Sequence, residues 1–265
     1  MIADPPIVDA HAHIITRRMP FREDAWIRPD YEYTAEDFIA DLDRHGVAFG
    51  IVTAASLYGD YNDYTLTSLA RYRRLRATVM LEPETDAATI RSLRDQGVVG
   101  VRMQWKVDAA PPDFHSFPYR KFLNRLADCG MHVELNASAD QQAIVLPVLA
   151  AHGIDVVVDH FGLLRAPDGM DGDGFQSILR AVAGGRTWVK ISAGFRLGPG
   201  LRRAASARLL AEAGGDRLLW GSDAPFVGKE SAISYGDTLA QFQELVPDAA
   251  VRRRISDAAL RLCFF

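Results

Sequence analysis

His11 and His13 stand two residues apart in Val-Asp-Ala-His-Ala-His, residues 8–13, directly after an apolar stretch. Side chains at i and i+2 of a strand point to the same side, so both imidazoles converge on one point. Such a pair suits a divalent cation or a shared anionic group. Other reactive side chains recur just past later apolar runs. Val-Val-Val-Asp-His carries His160, and Leu-Leu-Trp-Gly-Ser-Asp carries Asp223. Arg102, Lys190, Ser192 and Arg196 lie on or after further runs, and Ser56 and Tyr58 follow the second. A lone histidine after a strand is commonly structural. Three histidines and an aspartate gathered at one end of a sheet point to catalysis.

The elements that would gather them are short apolar runs with helical segments between. The runs are Ile7–Ala10, Phe49–Thr53, Leu75–Met80, Val98–Met103, His132–Leu135, Ile154–Asp159, Thr187–Ile191 and Leu218–Trp220. Each is apolar on both faces, as in a buried parallel sheet. Segments such as Ala35–His45, Ala87–Gln96, Tyr119–Cys129, Asp140–His152 and Gly174–Ala183 place apolar residues at i, i+3 and i+4. Thr34 with Asp37 forms a capping-box pattern, and Gly46 sits where a helix stops. The punctuation His45-Gly46, Gln96-Gly97, Cys129-Gly130 and His152-Gly153 repeats helix, glycine, strand. Eight such units predict an α/β protein, a (β/α)₈ TIM barrel in one domain over residues 1–265. An open doubly wound sheet is the alternative, but no GxGxxG or P-loop follows any strand. Insertions at 14–33 and 162–174 follow strand ends, where barrel enzymes place substrate loops.

The 265 residues are 48% hydrophobic and 24% charged, with net charge −4. That balance gives no electrostatic case for nucleic acid or anionic membrane as partner. Cys129 and Cys263 lie far apart and are read as reduced thiols. The opening Met-Ile-Ala-Asp-Pro-Pro lacks the basic and apolar segments of a secretory leader. No apolar run nears the roughly 20 residues of a membrane span. A cytoplasmic protein acting on a small molecule is expected, with its oligomeric state open.

The ordered set of His11, His13, His160 and Asp223 resembles the amidohydrolase superfamily. Its lactonase branch, which includes 2-pyrone-4,6-dicarboxylate hydrolases, is the nearest likeness. The resemblance runs nearly end to end through Ser56-Leu-Tyr-Gly with Asn62, Gly97-Val-Val-Gly-Val-Arg102 and Val158-Asp-His-Phe-Gly162. It continues through Gly172–Phe175, Trp188-Val-Lys-Ile-Ser192 with Arg196, and Trp220-Gly-Ser-Asp-Ala-Pro225. It implies a hydrolase opening a lactone or similar cyclic ester, with a carboxylate-bearing or sugar-acid ring. In that chemistry Asp223 takes a proton from water and His160 stabilises the oxyanion. Arg102 and Arg196 hold a substrate carboxylate, and Ser56 and Tyr58 add neutral hydrogen bonds.

His11, His13 and Asp223 would give one divalent ion such as Zn²⁺ two nitrogens and an oxygen, with a position left for water. Metal-independent activity is the equal alternative, as the pyrone hydrolase group works without metal. Glu134, on one strand face with His132 and Asn136, is either a further ligand or a buried hydrogen-bonding group. Lys190 reads as a member of a buried ion pair.

Where the pyrone dicarboxylate hydrolases carry an arginine after the strand-6 histidine, this chain has Leu163, with Arg165 two residues on. Where they favour tyrosine it has Asn136. A mono-acid or sugar lactone therefore fits better than a dicarboxylate. Trp26 and Trp105 are read either as a stacking surface or as lid and core aromatics. His45, His115 and His152 are read as structural or surface residues, and the Asp-Gly run at 168–174 as a turn-rich loop. A lactone isomerase and a metal-dependent decarboxylase are the competing activities on the same barrel.

Overall fold

Valine, isoleucine and leucine fill both faces of the short runs, and each run forms a parallel strand. A computed structural model describes residues 4–105, 109–165 and 169–265. The strands are β1 (Val8–Ala12), β2 (Phe49–Thr53), β3 (Leu75–Val79), β4 (Val98–Gln104), β5 (His132–Asn136), β6 (Val156–Val158), β7 (Thr187–Ser192) and β8 (Leu218–Gly221). They lie side by side in chain order, every pair parallel. The edges meet through a parallel bridge between Ala12 and Ala224. Asp223 N–H donates to His11 O at 2.8 Å, and His13 N–H to Ala224 O at 2.7 Å. The result is the expected (β/α)₈ barrel.

The helices are α1 (Ala35–His45), α2 (Asp63–Arg71), α3 (Ala87–Asp95), α4 (Phe117–Asp128), α5 (Ala139–His152), α6 (Asp173–Ala183), α7 (Pro199–Ala213), α8 (Tyr235–Leu245) and α9 (Ala249–Cys263). α1 starts on the Thr34–Asp37 capping box and stops at Gly46 in the left-handed conformation. It buries Ala35, Phe38 and Leu42, the stripe its 3.6-residue period presents to the sheet. Gly46, Gly97, Gly130 and Gly153 all have positive φ. The repeated glycine is thus the residue that turns α1, α3, α4 and α5 back into a strand.

Only β2 ends where expected; the other strand ends shift by one or two residues, and the shifts in β1 and β6 shape the site. β1 runs on to Ala12 because its pairing with β2 continues past the apolar run through a bulge. Asp9 pairs Gly50 while Ala12 pairs Val52, so one residue of β1 is extra. The bulge re-aims the strand: Val8 and Ala10 join Ile51, Val99, Val157, Trp188 and Leu219 in an apolar cluster with Ala258, Ala259 and Cys263 of α9. β6 stops at Val158, since a 3₁₀ turn over His160–Gly162 begins directly after Asp159.

The insertion at 14–33 is anchored at its base by paired backbone bonds between Ile15 and Tyr33. Ile15, Met19, Leu57, Tyr58 and Val227 form a small core beneath it. Residues 1–3 of the leader reading and residue 168 of the Asp-Gly run lie outside the described residues. Cys129 and Cys263 are free thiols. Among the described residues no helix is long and apolar enough to cross a membrane.

Candidate active site

The bulge in β1 brings His11 and His13 to the C-terminal mouth of the barrel opposite the end of β8. Gly221 makes this approach feasible, because a Cβ there would sit 2.5 Å from His11 Cβ. Asp223 follows at φ 65°, and His160 stands at φ 50° after β6. Left-handed backbone at two non-glycine residues is a strain that clusters at functional sites.

These turns place three imidazole nitrogens around one carboxylate oxygen. His11 Nε2 lies 3.6 Å from Asp223 Oδ1, and His13 Nε2 and His160 Nε2 each lie 3.7 Å from it. The other oxygen, Oδ2, accepts from Arg196 Nε at 3.0 Å. Burial alone would push the Asp223 carboxyl up. The surrounding histidines and Arg196 outweigh that and hold it well below the usual range. Burial pushes His160 down to about 4, with Arg102 and Lys190 adding to the effect, so its imidazole is neutral at pH 7. His160 Nδ1 is paired with Ser192 Oγ at 2.8 Å. His13 Nδ1 faces the carbonyl oxygen of Thr53 at 2.8 Å.

Beneath this group lies a buried ionic layer. Lys190 Nζ lies 2.6 Å from Glu134 Oε2 and 3.1 Å from Asp159 Oδ1. Burial would lower its pKa, but the carboxylates of Asp159 and Glu134 raise it above the ordinary value, so it is an ammonium. Lys190 thus has the buried ion-pair role read from its strand position. Thr78 donates to Glu134 Oε2 at 3.2 Å, so Glu134 is a hydrogen-bonded member of this layer. Asp9 lies behind the site. Its carboxylate accepts from the backbone of His11 and Ser222 and from Tyr235 Oη, tying β1 to β8 and α8.

The mouth opens as a cavity of about 220 Å³, lined by His13, Ser56, Arg102, His160, Arg196 and Asp223. Trp26, Ala55, Leu57, Gln104, Asn136, Leu163 and Val227 complete its wall. Seven of the eight residues named from the sequence therefore meet here, counting His11 just beneath. Tyr58 does not line the cavity. It is buried against Phe21, ring centroids 5.1 Å apart, in the core under the 14–33 insertion. Arg102 reaches the wall but is heavily committed. Its Nε and Nη2 donate to Asp159 Oδ2, and its Nη1 donates to Ala54 O and Gln104 Oε1. Arg196 spends only Nε on Asp223 and Nη2 on Val227 O, so it retains donors facing the cavity. Trp26 is 65% exposed at the mouth. Trp105 packs on Phe114 and lines a neighbouring cavity of about 400 Å³ that shares Arg102 and Gln104. His45 stacks on Tyr235, and His115 is exposed.

The donor set of His11, His13 and Asp223 suits one divalent ion. The three atoms stand 3.4–3.7 Å apart. A tetrahedral Zn²⁺ with bonds of about 2.0–2.1 Å has ligand edges of about 3.3–3.4 Å. A contraction of a few tenths of an ångström would close the set.

Sequence reading found Lys190 and Glu134 beneath the site but missed Asp159 and Asp9, which help hold its reactive groups. Asp159 was visible only as the neighbour of His160. Asp9 was visible as the residue before the histidine pair. Their roles depend on contacts across the barrel that no local spacing encodes.

A family model described as amidohydrolase matches residues 8–262. A 4-sulfomuconolactone hydrolase from Rhizobium radiobacter is 23% identical over 257 residues, spanning 93% of this chain and 86% of that protein. A 2-pyrone-4,6-dicarboxylate hydrolase from Comamonas testosteroni is 26% identical over 273 residues, spanning 94% and 86%. A solved structure from Acinetobacter baumannii, described as a probable 2-pyrone-4,6-dicarboxylic acid hydrolase with citric acid bound, superposes with TM-score 0.92. It is 29% identical and covers 98% of this chain and 100% of that one.

Proposed function

The chain belongs to the amidohydrolase family, and from that premise we propose that it hydrolyses a small lactone bearing an anionic group. The single observation that carries this reading is the Asp223 carboxylate, ionised and facing three imidazoles, with Arg196 holding its far oxygen. The matched relatives act on lactones that carry acid groups, as their names state.

Asp223 Oδ1 removes a proton from a water held among His11, His13 and His160, and the hydroxide adds to the ring carbonyl. The Asp223 carboxylate, 3.7 Å from His160 Nε2, favours the hydrogen there, with Ser192 Oγ then donating to Nδ1, and that Nε2 hydrogen stabilises the tetrahedral oxyanion. Collapse breaks the ring C–O bond. The alkoxide takes the proton back from Asp223, giving a hydroxy acid. The free donors of Arg196 hold the substrate's anionic group, with Ser56 adding a neutral hydrogen bond. Arg102 offers at most its remaining hydrogen and otherwise steadies Asp159. If one divalent ion is bound, His11, His13 and Asp223 hold it, and it acidifies water and polarises the carbonyl. The free thiols support a reducing compartment, the cytoplasm.

A pH-indicator screen of sugar, muconic and pyrone lactones, run with and without chelator, tests this reading. Acid release from at least one lactone is expected. A rearranged lactone as product, or CO₂ release from an aromatic acid, would replace hydrolysis with isomerisation or decarboxylation.

A further inference from the structure

Lys190 is 2% exposed, and its Nζ lies 3.1 Å from His11 Nδ1. An ammonium only donates, so His11 Nδ1 accepts, and the neutral imidazole carries its hydrogen on Nε2. That Nε2 lies 3.4 Å from His13 Nε2. At the other end of the chain of contacts, His13 Nδ1 faces the Thr53 carbonyl oxygen at 2.8 Å. A carbonyl only accepts, so His13 carries its hydrogen on Nδ1 and keeps a lone pair on Nε2. The bonds run in one direction, from Lys190 through His11 and His13 to Thr53.

We propose that Lys190 is a positioning residue that fixes His11 as its Nε2–H tautomer and so makes His11 a donor, with no lone pair at Nε2 for a metal. Ligation by His11 then requires its hydrogen to sit on Nδ1. The structure holds an acceptor for that arrangement. Asp159 Oδ1 lies 3.3 Å from His11 Nδ1, fully buried, with Lys190 Nζ 3.1 Å from the same oxygen. Lys190 and Asp159 Oδ1 thus compete for one ring nitrogen, and the winner decides whether His11 donates a hydrogen bond or ligates. This stands apart from the lactonase reading, because the tautomer is set before any substrate enters.

Nitrogen-15 NMR of the metal-free protein with labelled histidine tests it, since protonated and bare ring nitrogens resonate far apart. The expected spectrum has His11 protonated on Nε2 and His13 on Nδ1. His11 protonated on Nδ1 in the wild-type protein would overturn the proposal, whatever any variant does. Lys190→Met, which keeps the bulk and removes the donor, is expected to move the His11 hydrogen to Nδ1 and to tighten equilibrium Zn²⁺ binding tenfold or more. Tighter Zn²⁺ binding with the hydrogen still on Nε2 would also overturn it, because lost charge alone would then explain the affinity. If Lys190→Met fails to fold, the wild-type spectrum decides.

Discussion

Arg196 donates its Nε hydrogen to Oδ2 of Asp223 at 3.0 Å, which leaves Oδ1 as the oxygen turned toward the histidines. The two oxygens of one carboxylate thereby receive different tasks. Oδ2 fixes the rotamer, and Oδ1 is free to take a proton. The three histidines, with a smaller share from the guanidinium, keep the buried carboxylate ionised, which burial alone would oppose.

Asp223→Asn keeps the shape and removes the basic oxygen. Loss of a positioned general base costs about 10²–10⁴-fold. We expect kcat on the best lactone to fall by about 10²–10⁴-fold while the circular dichroism spectrum stays unchanged. Turnover at the wild-type rate would remove Asp223 from the mechanism.

Arg196→Met removes a charge-assisted hydrogen bond to Asp223 and the donors left for substrate. Each such bond is worth about 1.5–3 kcal/mol, or one to two decades. The expected result is a kcat/KM lowered by about 10²–10⁴, with a raised KM in steady-state kinetics. A KM unchanged for anionic lactones would show that their acid group is held elsewhere.

His160→Asn suits the left-handed backbone of the 3₁₀ turn but is too short to place a donor where Nε2 faces the site. One oxyanion donor is worth about 10²–10³ in kcat. We expect a loss of that size in kcat with KM within about threefold. Ser192→Ala, which frees the tautomer of His160, should lose less. Equal losses in the two variants would mean that Ser192 touches the reaction itself.

Legibility of the chain followed how local each signal was. The barrel was readable because buried apolar strands alternate with amphipathic helices along the chain, and at four junctions a glycine with positive φ marks the helix stop. His11, His13, His160 and Asp223 were readable because strand ends and reactive side chains coincide in the sequence. Tyr58 was misplaced because alternation along a loop does not say which core will claim an aromatic ring. Four of the five N–H donors of Arg102 were already spent, since Asp159 and the Ala54 carbonyl reach it from the ends of other strands and Gln104 from its own. The bulge that aims His11 left no mark in composition at all; it shows only as a shift in pairing with β2.

Gly221→Ala tests the close approach of β8 to β1. The added Cβ would lie 2.5 Å from His11 Cβ and 2.9 Å from His11 N, and neither can swing aside as a flexible side chain would. Overpacking of this kind costs about 1–3 kcal/mol. A chain of this size loses about 2–4 °C in Tm per kcal/mol. Thermal denaturation should show that drop together with reduced kcat, because His11 is pushed from Asp223. An unchanged Tm would mean that the barrel relaxes at this seam more easily than its spacing suggests.

His132 gives the stability a defined acid dependence. It is 4% exposed on the inner side of β5. Burial first, and the charge of Lys190 second, push its pKa down to about 3. In the unfolded chain the group titrates near 6.5. Between those values the unfolded state binds the proton and the folded state does not, so stability falls as pH falls through that window. Above about pH 6.5 the group is neutral in both states and contributes no slope. Each pH unit inside the window removes about 1.4 kcal/mol, so at pH 5 this one residue has cost about 2 kcal/mol. His132→Leu removes the titration while filling similar space. Urea denaturation at pH 7 and pH 5 should show the variant losing about 2 kcal/mol less stability than the parent across that interval. The comparison within each protein cancels the fixed cost of the substitution and the contribution of every other group. Equal losses in the two proteins would mean that His132 is protonated in the folded barrel, with Asp159 rather than Lys190 dominating its surroundings.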